Sequence, residues 1–179
     1  MKLYRAALLC SIAAFVGLAG CASRDNGGRG PMLSGSDQTF LENAAQGNQA
    51  EIQGSKMALD KSSSSEVRAF AQTMIKDHTA ANEKLVALAT RKGYNPPTAP
   101  SMMQATELKG LNLFSGNAFD KAYVDRIGIA AHEATIKQFE TAASGANDAD
   151  IRAFAQGLLP ALRHHLEMAQ ALNQQQKQQ

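Results

Sequence analysis

Three histidines and a glutamate stand where helical periodicity calls for apolar side chains. His78 falls in the series Val67, Phe70, Met74, Ala81, Leu85, Leu88, spaced three and four apart like the buried face of a helix. His132 falls among Ile129, Ile136 and Phe139, with Asp125 two turns earlier on the same series. His165 lies between Leu162 and Ala169, and Glu51 shares a stripe with Ala44, Asn48, Ser55 and Ala58. One inward polar residue per helix is how metal sites are built in bundle cores. Imidazole and carboxylate together suit zinc, iron, copper or manganese, with zinc or iron the expected ions. The same residues also fit a buried hydrogen-bond network without metal, because a buried carboxylate needs a partner and that partner need not be an ion. Asp77, next to His78, and Asp125 are the residues expected to support the histidines from behind. His164 and Glu133 point to other faces and read as solvated.

Holding these four side chains together requires four helices. Their periodic windows are residues 37–59, 63–92, 117–144 and 147–172. The second opens on Ser63-x-x-Glu66, a capping box. The third opens near Asn117, and the fourth on Asn147-x-x-Asp150. Gly93 and Gly145 mark helix ends. Pro160 lies inside the fourth window and predicts a kink. Two of the links are short and imply antiparallel neighbours. The third, residues 93–116, carries Pro96, Pro97 and Pro100, with a short helix expected over 101–109. The expected fold is all-α: a four-helix bundle of two hairpins joined by a long crossover. In alternating helices, at about 1.5 Å rise per residue, the four polar residues fall within roughly one to three turns of one another. The runs VRAFAQ (67–72) and IRAFAQ (151–156) differ at one position and follow corresponding helix starts, which agrees with a duplicated-hairpin plan.

The chain has 179 residues, one domain's length, and a formal net charge of +2. That balance excludes a strongly basic nucleic-acid binder. Residues 1–20 carry Lys2 and Arg5 ahead of an uncharged apolar run, the pattern of a secretory leader. The run ends in Leu18-Ala19-Gly20-Cys21, which resembles the lipobox of bacterial lipoproteins and implies a lipidated Cys21 as the mature N-terminus. Ala22 resembles the outer-membrane sorting pattern, so the expected location is the outer membrane, facing the periplasm. Removing Lys2 and Arg5 takes the 18 basic residues to 16 against 16 acidic ones, a neutral mature chain. Cys10 leaves with the leader, so no free thiol remains. Residues 21–35 read as a polar, Gly-rich tether, 36–173 as the bundle and 174–179 as a polar tail.

Several stretches resemble a bacterial family of secreted or lipid-anchored outer-membrane proteins with a domain of unknown function. They are FLENAAQGNQAEI (40–52), VRAFAQTMIKDHTAANEKL (67–85), LFSGNAFDKAYVD (113–125), residues 132–139, and LLPALRHHLEMAQAL (158–172). The resemblance implies a ferritin-like four-helix bundle. It does not bring ferritin chemistry with it, since the residues three before His78 and His165 are Ile75 and Leu162 rather than glutamates. No phosphate loop, nucleophile elbow, His-Glu-x-x-His or paired cysteines occur, and no catalytic residue is assigned. The expected role is non-catalytic: an envelope protein held at the membrane by lipid, acting on an unidentified envelope protein or in stress tolerance. Nucleic acid is not an expected partner. The alternative is a metal-binding protein using Glu51, His78, His132 and His165.

Overall fold

The computed structural model describes residues 33–178. The leader, Cys21 and the tether up to residue 32 lie outside them. Among the described residues all regular structure is helical, and no helix is long and apolar enough to cross a membrane. The helices are α1 (Gly35–Lys61), α2 (Ser65–Arg91), α3 (Met102–Leu111), α4 (Gly116–Tyr123), α5 (Ala131–Gly145) and α6 (Ala149–Gln176). A π-helical segment, Val124–Ala130, joins α4 to α5 without leaving helical dihedrals. The three pieces therefore run as one long helix. The bundle is formed by α1, α2, this composite helix and α6, with α3 as the short helix of the crossover.

The starts of α1, α2 and α6 are set by side chains that satisfy otherwise orphaned backbone groups. The Ser34 hydroxyl accepts from Asp37 N–H at 3.1 Å. The helix therefore starts at Gly35, and Leu33 is already buried in the core. The α2 cap is Ser64, not Ser63: its Oγ accepts from Val67 N–H at 3.2 Å and donates to Glu66. In a run of four serines (62–65), the one whose carbonyl begins the ladder takes the cap. The composite helix starts after Ser115 rather than at Asn117. Asp148, not Asn147, caps α6 by accepting from Asp150 and Ile151 N–H. Gly93, at φ 74, ends α2, with Tyr94 N–H reaching back to Ala89 O at 2.9 Å. α6 continues unbroken through Pro160, whose ring lies on the exposed face, and runs on to Gln176, so the first half of the expected polar tail is helix.

The VRAFAQ and IRAFAQ runs have a shared task. Arg68 donates to the carbonyls of Leu59 and Ser62, and Arg152 to those of Ala146 and Asn147. Each arginine reaches back from the start of its helix and satisfies the end of the one before it. The buried Asp37 carboxylate then ties the start of α1 to the α5–α6 link, accepting from Asn147 and Asp148 N–H at 3.0 Å each.

The core is divided in two. One apolar cluster holds Phe40, Leu41, Leu85, Phe139, Ile151 and their neighbours. The other holds Val67, Phe70, Met74, Phe119, Tyr123 and Ala169 among others. Along every long helix the residues between the two clusters are the polar ones: Asn48 and Glu51 on α1, His78 on α2, His132 on α5 and His165 on α6.

Candidate metal centre

The sequence places Glu51, His78, His132 and His165 on separate helices; the fold brings all four to one level. They are 3%, 3%, 0% and 3% exposed, a degree of burial that polar groups tolerate only with partners. The three imidazole rings stand at the corners of a near-equilateral triangle, with centroid separations of 5.5, 5.3 and 5.4 Å. One ring nitrogen from each lies within 4.8 Å of the other two.

Each ring has one nitrogen tied from outside. His78 Nδ1 is 2.9 Å from Asn48 Oδ1, His132 Nδ1 is 3.1 Å from the Ile127 carbonyl, and His165 Nε2 is 3.0 Å from Asp77 Oδ2. All three partners are acceptors, so the tied nitrogens carry protons, which leaves the opposite nitrogens for a metal ion or, when the ring is charged, for a second proton. Those opposite atoms, His78 Nε2, His132 Nε2 and His165 Nδ1, are buried with no hydrogen-bond partner. Imidazoles that ligate metals are oriented in this way, by a carboxylate or carbonyl on the far nitrogen.

Glu51 lies beside this triad, outside the group of three converging nitrogens. Its Oε2 lies 2.8 Å from His78 Nε2, off the axis of a hydrogen bond, and its Oε1 lies 3.9 Å from His132 Nδ1. A carboxylate facing an imidazole lone pair at that distance requires positive charge, either a second ring proton or a metal ion. Burial by itself drives the Glu51 carboxyl upward. The positive charge the histidines can carry, His78 foremost, outweighs burial and holds the carboxyl at about 2. His165 is shifted below its ordinary 6.5, chiefly by burial and against its hydrogen bond to Asp77, and so favours the neutral, ligating form.

The π segment sets the His132 end of the site. In it, backbone bonds run five residues back, as from Ala131 N–H to Arg126 O. This places the Ile127 carbonyl against the His132 ring. Gly128, in the same segment, lets α6 come close: a Cβ there would lie 2.8 Å from Ala169 Cβ. The segment also explains the one predicted residue that misses the site. Asp125 precedes most of the wider turn, so it rotates off the His132 face and accepts a hydrogen bond from Asn173 on α6 instead. Asp77 does support a histidine, but the one on α6 rather than its neighbour in sequence. Asn48, the Ile127 carbonyl and the π segment carry no assigned role in the sequence reading. The signal available for Asn48 was its place on the Glu51 stripe. His164 and Glu133 are exposed.

A small chamber of about 40 Å³, lined by Asn48, Glu51, Asp77, His78 and His165 among others, adjoins the cluster. That is room for an ion and little else. A tetrahedral ion with bonds of about 2.0–2.1 Å sets its donors about 3.4 Å apart, so loading draws the rings together by up to about an ångström and a half.

The family profile described as a domain of unknown function, DUF4142, matches residues 22–172. No curated protein matches the chain. Among solved structures, a DUF305 fragment from Deinococcus radiodurans superposes with a TM-score of 0.71 at 15% identity, covering 81% of this chain and 99% of its own. CopM in its Cu(II)-bound form gives 0.66 at 16% identity, covering 78% and 96%. CopM in an Ag-bound form obtained by soaking gives 0.63 at 15% identity, covering 78% and 95%. At these identities the likeness is one of fold.

Proposed function

The chain belongs to the DUF4142 family, a domain of unknown function, and from its own residues we propose that the bundle holds one divalent transition-metal ion. His78, His132 and His165 supply nitrogen and Glu51 supplies oxygen. The observation that carries the reading is the orientation of the rings: three buried imidazoles, each tied by its outer nitrogen, with the remaining nitrogens unpartnered. The charges also agree. Three neutral imidazoles, one carboxylate and a divalent ion leave one positive charge, and Asp77 behind His165 offsets it. A set of three nitrogens and one oxygen favours Cu(II) or Zn(II). The neighbours solved with Cu(II) and silver lend support from the same fold. A bound ion would replace whatever positive charge balances Glu51 in the metal-free chain.

The test is elemental analysis and calorimetry on the mature chain, with Zn(II) and Cu(II) added separately. One equivalent of metal is expected, with affinity weakened in His78→Ala, His132→Ala and His165→Ala. Absence of stoichiometric metal, or unchanged affinity in the three variants, overturns the proposal. The leader pattern and Cys21 support placing the bundle at the cell envelope on a lipid anchor. Labelling with a radioactive fatty acid, retained by wild type and lost in Cys21→Ala, is the expected result; equal labelling of the two refutes the anchor.

A further inference from the structure

The small chamber beside the histidines, lined by Glu51, His78 and His165 but not by His132, borders a larger groove. α1 packs extensively on α2, and α5 on α6, while α1 meets α5 only sparsely. Along that thin seam lies a groove of about 650 Å³, bordered by α3. The groove and the inner chamber share the same five lining residues: Asn43, Gly47, Glu51, Thr135 and Gln138. Glu51, almost wholly buried and with neither carboxylate oxygen hydrogen-bonded, faces both spaces. Besides Glu51, the shared residues are three neutral hydrogen-bonding side chains and a glycine, while Glu107 and Arg126 line the outer part of the groove. Gln138 crosses the seam, its Nε2 donating to the Phe40 carbonyl at 3.3 Å.

We propose that the α1–α5 groove is the route by which the ion enters and leaves, with Glu51 its first protein ligand and Gly47 the residue that keeps the passage open. This rests on the metal reading above. The amide and hydroxyl groups of Asn43, Gln138 and Thr135 can replace water around a partly hydrated divalent cation as it passes. The carboxylate at the floor of the groove then meets the ion before the imidazoles do. Glycine in the interior of α1 costs helix stability relative to almost any other residue, and nothing else in the packing calls for it: a Cβ at position 47 would meet no atom within 4 Å. A side chain there has open space to enter, and Gly47 lines both the chamber and the groove.

The experiment compares wild type with Gly47→Leu, Gln138→Ala and the control Gly157→Leu, a second glycine whose Cβ would meet nothing. Zn(II) uptake by the mature chain and its removal by excess chelator are followed with a chromophoric competitor. Gly47→Leu is expected to slow uptake and release alike, by about tenfold or more, and to leave the equilibrium affinity unchanged. Gln138→Ala, which removes the crossing hydrogen bond, speeds both, and Gly157→Leu behaves as wild type. Gly47→Leu loading at the wild-type rate, or Gln138→Ala leaving the rates unmoved, overturns the route while the metal site stands. A wild-type chain that takes up neither Zn(II) nor Cu(II) overturns both. A change confined to one of the two rates, with the affinity shifted to match, assigns Gly47 to the site's structure and refutes a gating role.

Discussion

Replacing Glu51 by Gln in the metal-free chain separates charge from shape. The glutamine fills the same space and loses only the carboxylate. In the folded chain the Glu51 carboxyl is held at about 2, against an ordinary value of 4.5. That difference corresponds to about 3 kcal/mol at neutral pH. Removing one partner of a buried ion pair costs about 3–5 kcal/mol in other proteins, the same range. For a domain of this size each kcal/mol moves the melting temperature by about 3 °C, so a fall of about 10 °C is expected at pH 7. The sign with pH follows from the lowered carboxyl. Its contribution is complete above 4.5 and is lost as pH falls from there toward 2, so the two proteins converge in acid. Melting followed by circular dichroism, in chelator, from pH 7 down to pH 2.5 measures the gap. Equal melting temperatures at pH 7, or a gap that stays constant through the acid range, refutes the charge-pairing argument.

Asp77→Asn leaves His165 in place but weakens its outer hydrogen bond, and calorimetry should find metal affinity lower by about tenfold to a hundredfold. Gly128→Ala puts a Cβ 2.8 Å from that of Ala169; a loss of about 1–3 kcal/mol by urea unfolding is expected, partly restored by adding Ala169→Gly. Asp148→Ala removes the α6 cap and the contact to Lys92 Nζ at 2.7 Å, for a total cost of about 1–2 kcal/mol. The Lys92 partner lowers the Asp148 carboxyl, so its share is present above the ordinary carboxylate value, fades as pH drops through the lowered one, and weakens in high salt. His165, held below 6.5, makes the metal-free chain less stable as pH falls beneath that value, because the unfolded chain takes up the proton first. A melting temperature that does not fall between pH 7 and pH 5.5 contradicts this.

The four central residues could be read from sequence because each breaks a three-four apolar spacing, and burial of one helix face is a local property. The crossover was legible from its prolines and length. The π segment was not. Its extra residue per turn is stabilised by the approach of Gly128 to α6, a contact with a residue some forty positions away. Asp125 was misplaced for the same reason: its assignment assumed 3.6 residues per turn through a stretch that is wound more widely. The cap at Ser64 lay within a run of serines that local chemistry treats as equivalent. Asn48 stood on the right stripe, but that it would accept from His78 depends on how α1 and α2 are rotated against each other.

Glu51 and His78 belong to the first hairpin, and His132 and His165 to the second. Neither half owns a complete set of ligands. An ion at the centre therefore acts as a crosslink across the 92–115 connection, and like other links that close a long loop it restricts the open chain more than the folded one. With the ion in place, a protease cut within that connection should leave the two halves associated through gel filtration. With the ion removed, they are held by packing and by the hydrogen bonds of Asp37, Asp77 and Gln138 across the two hairpins, and the thin α1–α5 seam is where they would begin to part.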